Sequence, residues 1–300
     1  MYQKLKKWGS GLLMIVLLPY IITVFMNGPA KVTSSAVEEV KVNVKTEDGT
    51  KQMSMKEIGI GILAKEIPVI FEKEALKAQA ILVRTRLYKE LMKPEENEIT
   101  QDDFWTVKEM EETWGSTDYV SNKRKLNMAW EETEGQVLTY DGELALTPFF
   151  YLSNGSTRDA NEVFGKEYPY LKIVDCPLDI ESLEQMQTTT MDMLDAEVLE
   201  TDTVGYVLRV RVGEEKVNGE EFRMTYGLAS SCFIFQEYEN KLRITTRGVG
   251  HGVGMSQNTA NEMAKSGTTY KEILEYFYAG TELKEVADMI QKADSSNKKE

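Results

Sequence analysis

The sequence predicts a mixed α+β protein of helices and antiparallel strands, preceded by a single apolar segment long enough to cross a membrane. Three stretches carry that expectation. In residues 73–86, Leu76, Ala80 and Val83, continued by Leu87, recur at i, i+4, i+7 and i+11, the spacing of one buried helical stripe. Residues 135–146 alternate around Asp141-Gly142, a dipeptide suited to the turn whose twist matches paired strands. Residues 8–26 form an apolar run without an internal charge.

Composition narrows the function. A formal net charge of -14 over 300 residues speaks against nucleic acid, whose phosphates must be met by Lys and Arg. The chain has two cysteines and one histidine, and Cys176, Cys232 and His251 are scattered. A zinc site needs about three or four ligands, so no metal or other cofactor is expected. Whether the two cysteines pair stays open; an extracytoplasmic location would permit it.

In chain order, Lys4, Lys6 and Lys7 precede the apolar run and orient its start toward the cytoplasm. A cleaved signal peptide is the rival reading, but Asn27-Gly28-Pro29-Ala30 fits a cleavage site poorly, which favours a retained single-pass anchor. The expected division is a stub and anchor over 1–30, a polar linker over 31–55, a folded domain over 56–285 and a polar tail over 286–300. Val40, Val42 and Val44 give the linker a weak strand-like alternation. Residues 57–67 read as a helix ended by Pro68, and Pro94 stops the next one. Residues 93–107 read as a loop, with Phe104, Trp105 and Trp114 as aromatic anchors, and 122–133 as a helix. Residues 148–152 extend the hairpin strand. A polar insertion over 179–199 is assigned no chemistry. Strands are expected at 204–212 and 243–247, and Thr269 caps a helix over 270–278 with Gly280 past its end.

Around the lone histidine, Gly248, Gly250, Gly252 and Gly254 alternate with Val249, His251 and Val253. Such glycines let a ligand or strand approach the main chain. A nucleotide loop fails, because neither the Gly-x-Gly-x-x-Gly register nor a following Gly-Lys-Ser/Thr is present. A helix is expected to start near Ser256, with Gly267 beyond its end. His251 holds this loop closed by hydrogen bonds, lines a groove, or, as the least favoured alternative, ligates a metal.

Glu74 lies in the first turn of the 73–86 helix, on a face continued by Ala78, Ile81, Thr85 and Tyr88. The helix N-terminus favours its charged form by about 0.3–1 kcal/mol, whereas full burial can raise a carboxyl pKa by about 3–5 units. A buried Glu74 would donate a proton near neutral pH; an exposed one is an ordinary first-turn glutamate. Glu66, eight residues earlier, is either a second acid near the site or a solvated side chain.

The run Glu74-Ala75-Leu76-Lys77-Ala78-Gln79-Ala80 with Arg84-Thr85, and the run Arg247-Gly248-Val249-Gly250-His251-Gly252-Val253-Gly254-Met255-Ser256-Gln257, resemble the signatures of the stage II sporulation protein D family. Weaker matches lie in 136–146 and in Tyr168-Pro169-Tyr170-Leu171, so the resemblance spans 57–283. That family comprises membrane-anchored peptidoglycan lytic transglycosylases of spore formers. The resemblance implies a catalytic Glu74, with Gln79, Arg84, Tyr88, Ser153, Tyr226, His251, Ser256 and Gln257 as candidates for positioning sugar and Gly250, Gly252 and Gly254 shaping a loop. It implies cleavage between N-acetylmuramic acid and N-acetylglucosamine in peptide-free glycan strands, one glutamate acting as acid and then base to leave a 1,6-anhydro end. It also implies a catalytic part outside the cell membrane, working during engulfment in a complex with an amidase and another membrane protein. Some members bind zinc through a His and two Cys, which residues 102–115 lack. Gly155 alone stands where the family carries a Ser-Gly-Gly loop, and Asn258-Thr259 replace its usual aromatic-Gly pair. On this reading the Glu74 helix and the His251 loop face one substrate groove, floored by antiparallel strands from the Tyr140 hairpin, 204–212 and 243–247. Two rivals remain: a water-using muramidase with Glu74 and Glu66 as its carboxylates, and a non-enzymatic glycan-binding amidase enhancer.

Overall fold

The computed structural model describes residues 40–47, 49–92 and 99–287. The expected anchor and most of the tail lie outside these residues, as does Pro94. Among the described residues no helix is long and apolar enough to cross a membrane.

Strands β1 (Lys41–Thr46) and β2 (Gly49–Ser54) pair antiparallel, and Val42 and Val44 are buried. Most of the expected linker is therefore a hairpin, because its alternating valines have a core to enter. Helix α1 (Met55–Glu66) follows and ends one residue short of the expected boundary, with Ile67 extended before Pro68. Helix α2 (Lys73–Met92) is the centre of the fold. Its predicted stripe, Leu76, Ala80, Val83 and Leu87, enters one core with α1, β1 and the next helix. Ala75, Ala78, Ile81 and Leu82 enter a second core. A helix with buried residues on two faces is an interior element, beyond the amphipathic stripe expected.

Strand β3 (Ile99–Thr100) pairs parallel to β1. Helix α3 (Val107–Glu132) starts well before the expected 122 and breaks its geometry at Gly115, φ 72°. The hairpin of β4 (Gln136–Tyr140) and β5 (Glu143–Leu144) turns at Asp141 and Gly142, both at positive φ, as its sequence requires. Strand β6 (Phe149–Phe150) and helix α4 (Ala160–Phe164) lead to β7 (Met186–Asp192), β8 (Ala196–Thr201), β9 (Val207–Val212) and β10 (Glu215–Asn218). The expected polar insertion thus contains two strands. Helix α5 (Gly219–Thr225), strands β11 (Phe233–Tyr238) and β12 (Lys241–Arg247), and the short β13 (Met255–Ser256) come next. Helix α6 (Gln257–Lys265) is capped by Ser256, and α7 (Tyr270–Phe277) by Thr269 in a capping box with Glu272. Strand β14 (Glu282–Glu285) closes on β4.

The strands do not make one floor. The Tyr140 hairpin joins β14, β9 joins β8 and β10, and β12 joins β7 and β11, giving separate sheets. The last two supply a third core around Val210, Phe222, Phe233 and Ile244. Period-2 alternation marks which residues are strands, but partner choice depends on contacts far apart in sequence. Cys176 and Cys232 are both buried free thiols.

α1 runs close to α3 through glycine. A Cβ on Gly59 would stand 2.3 Å from the Trp130 indole. Gly59→Ala is expected to lower stability by about 1–3 kcal/mol through overpacking, read as a lower urea midpoint at unchanged slope.

Candidate active site

Glu66 is the last residue of α1, where the negative end of the helix dipole disfavours a carboxylate. It lines a cavity of about 480 Å³ together with Arg86, Glu90, Thr147, Phe149 and His251. One carboxyl oxygen lies 3.6 Å from Arg86 Nη1, while Oε2 is buried without a hydrogen-bond partner. Burial pushes the pKa up from 4.5 to about 7, and the charges of Asp103 and Glu90 add to it against the opposing Arg86 and Lys65. Arg86 is shared among Glu66, Glu90 at 3.0 Å and Asp103 at 3.6 Å, so no single carboxylate receives its full charge. Burial also raises Glu90.

Glu74 differs at nearly the same side-chain exposure, 28% against 25% for Glu66. Lys77 Nζ donates to Glu74 Oε1 at 2.7 Å and the Tyr270 amide donates to Oε2 at 2.9 Å. Burial raises its pKa, but those hydrogen bonds and the charges of Lys77 and Lys73 outweigh it, leaving the carboxyl below its ordinary value. The raised proton affinity expected of Glu74 is therefore corrected: it is an ion-paired anion that tethers α2 to the start of α7. The residue that meets the expectation, and shares a cavity with His251, is Glu66.

His251 is held in the glycine loop by bridges from Val249 to Leu152, Gly250 to Ser230 and Val253 to Arg158. Gly254, at φ +83°, approaches so closely that a Cβ would stand 1.9 Å from the Pro148 carbonyl oxygen. The Val253 amide donates to His251 Nδ1 at 3.1 Å, so a neutral ring carries its proton on Nε2. Burial, with the charges of Arg223 and Arg158, lowers its pKa to about 4 against the pull of Glu220. His251 is thus hydrogen-bonded within the loop and borders the cavity. Arg158, buried, donates to the His251 carbonyl at 2.9 Å and is paired with Asp202 and Glu220.

The chain matches the model of the stage II sporulation protein (SpoIID) family over residues 43–140. It is 31% identical to stage II sporulation protein D of Bacillus amyloliquefaciens over 84% of this chain and 80% of that protein. The chain belongs to the stage II sporulation protein D family. The Bacillus subtilis protein of the same name is 30% identical, over 88% of this chain and 84% of its own length. A more distant relative, 24% identical over 74% of this chain and 40% of its own length, is the amidase enhancer of Bacillus subtilis.

The family's two signatures meet behind Glu66. Gln257 Nε2 donates to the Glu66 carbonyl at 2.8 Å and to Gln79 Oε1 at 3.3 Å, linking the second signature to both helices. Gln79, Ser153 and Ser256 are fully buried and build the frame of the site, while Gln257, nearly buried, reaches only the wall of a neighbouring hollow. Arg84, also expected to meet sugar, is buried; it donates to the Thr133, Gln136 and Trp130 carbonyls and lies over the Trp130 ring. Burial lowers its pKa to about 10. Tyr88 packs half-buried against the first core, and Tyr226 packs on Phe222 with ring centres 4.4 Å apart. Among the described residues no group of His, Cys, Asp or Glu side chains could hold a metal ion.

Asp179 escaped the sequence reading. Fully buried in the short 3-10 turn Pro177–Glu181, its carboxylate faces the start of α6 and accepts from the Ser153 amide at 2.8 Å, Ser256 Oγ at 2.7 Å, Asn258 Nδ2 at 3.0 Å and Thr259 Oγ1 at 2.8 Å. Its partners stand 26 to 80 residues away, with no local pattern to announce them. Asp179→Ala, which strands these buried donors, is expected to cost at least about 3 kcal/mol in urea unfolding.

Glu66 has a second consequence for stability. Its folded pKa is raised, so the folded state holds a proton between pH 4.5 and about 7 that the unfolded chain has released. Stability relative to Glu66→Gln should be greatest below pH 4.5 and fall as pH rises through about 7, by at most about 3 kcal/mol. Urea midpoints of both proteins across this range check the sign.

Proposed function

We propose that this member of the sporulation family is a membrane-anchored lytic transglycosylase that cuts peptide-free glycan strands outside the membrane, with Glu66 as its acid and base. The observation that carries the reading is the Glu66 carboxyl at a cavity shared with Arg86 and His251, one oxygen buried without a donor, where burial pushes its pKa up to about 7. Efficient general acids have pKa values near the working pH. Glu66 protonates the glycosidic oxygen as the bond to C1 of the muramic acid breaks. The resulting carboxylate, with Arg86 Nη1 at 3.6 Å to stabilise it, removes the proton from the 6-hydroxyl as that oxygen bonds to C1. The acid is regenerated and no water enters. Ordinary glycosidases use a second carboxylate; Glu90 lies in the same cavity but is engaged by Arg86. His251, neutral, is held by the Val253 amide on Nδ1 and by the Phe149 backbone, and so fixes the cavity wall beside Glu66.

The relative named amidase enhancer favours a second reading, in which the cleft binds glycan without cutting it and serves a partner amidase. Mass spectrometry of products from peptide-free strands separates the two. Anhydro-ended fragments are expected from the wild type, reducing ends from a water-using enzyme, and no fragments from a pure binder. Glu66→Gln should lower the cutting rate by at least about a hundredfold, while Glu74→Gln retains most of it. Wild-type cutting should decline as pH rises above about 7. A Glu66→Gln protein that cuts normally would contradict the assignment.

A further inference from the structure

Beside the reaction cavity lies a second hollow of about 450 Å³, lined by Glu66, Ile70, Trp105, Trp114, Tyr151 and Gln257. Of the residues lining the two, Glu66 alone is common to both, so the two hollows adjoin at this residue. The second hollow has a different chemistry. Trp105, Trp114 and Tyr151 are all partly exposed there, and Ile70 is 80% exposed. Trp105 meets Trp114 edge-on, ring centres 6.1 Å apart at 70°. Tyr151 stacks on Phe71 at 6.4 Å and 22°, and its hydroxyl is hydrogen-bonded to Glu184. The Trp105 amide donates to the Gly61 carbonyl at 3.1 Å. These rings are oriented before any ligand arrives, which reduces the ordering cost of binding.

We propose that this hollow is a saccharide subsite, in which the aromatic faces of Trp105, Trp114 and Tyr151 take the apolar C–H faces of sugar rings on one side of the scissile bond. Both hollows have the size of ligand pockets, about 300–1,000 Å³, and the mixture of aromatic faces with Lys65 and Gln257 at the wall suits an amphipathic ring better than an apolar helix. The inference rests on the proposed glycan cleavage for its choice of occupant.

Binding without cutting gives the test. The full-length chain is titrated with chitohexaose, following tryptophan fluorescence. The wild type should show a saturable change, and Glu66→Gln should bind comparably. Trp114→Ala should weaken binding about tenfold, the loss of one stacking contact. Ile70→Asp, at a position too exposed to disturb folding, should also weaken it several-fold by placing a charge in the hollow. Absence of a saturable change in the wild type, or wild-type affinity in both variants, would overturn the subsite. Cutting that persists in Glu66→Gln would overturn the reaction alone, since the subsite is read from affinity.

Discussion

The chemistry depends on an unbalanced carboxyl group. Glu66 ends a helix whose dipole opposes its negative charge, one of its oxygens is buried without a donor, and the nearest cation is divided among three acids. Glu74 shows what balance looks like at similar exposure: a close lysine and a backbone amide hold it ionised. Burial of the carboxyl is the largest influence at Glu66, whereas at Glu74 the partners outweigh it. A protein tolerates such imbalance where surrounding structure holds it in place, and here the support is elaborate. Gln257 and Gln79 grip the main chain behind Glu66, while Asp179 ties the start of α6 to the segment after β6.

The two family signatures therefore read differently in space than along the chain. Their polar residues point inward. Gln79, Arg84, Ser256 and Gln257 satisfy backbone groups and one another, and a buried polar group must do so or cost free energy. The groups that reach the cavity, Glu66, Arg86 and His251, are positioned by that frame. Below the histidine, Arg158 and its paired acids perform the same service for the loop carbonyl.

Local rules were legible where the physics is local. The Leu76 to Leu87 stripe, the Asp141-Gly142 turn, the Thr269 cap and the helix start at Ser256 each follow from spacing or turn chemistry. The second buried face of α2, with Ala75, Ala78 and Ile81, exceeded the single expected stripe, because its burial depends on α6 and α7 packing against it. What sequence could not rank was Glu66 against Glu74. Both are acids at helix ends, and their difference arises from residues brought together across the fold: Arg86, Asp103 and Glu90 for one, Lys77 and Tyr270 for the other. The Asp179 network and the division of the strands into separate sheets were hidden for the same reason.

The most direct test is an NMR titration of the glutamate side-chain carboxyl carbons in the full-length protein, with Glu66→Gln identifying the resonance. A midpoint near 7 for Glu66 is the predicted result. A midpoint at the ordinary 4.5 would mean that the carboxyl is solvated, and would contradict the account of this site as a proton donor and acceptor.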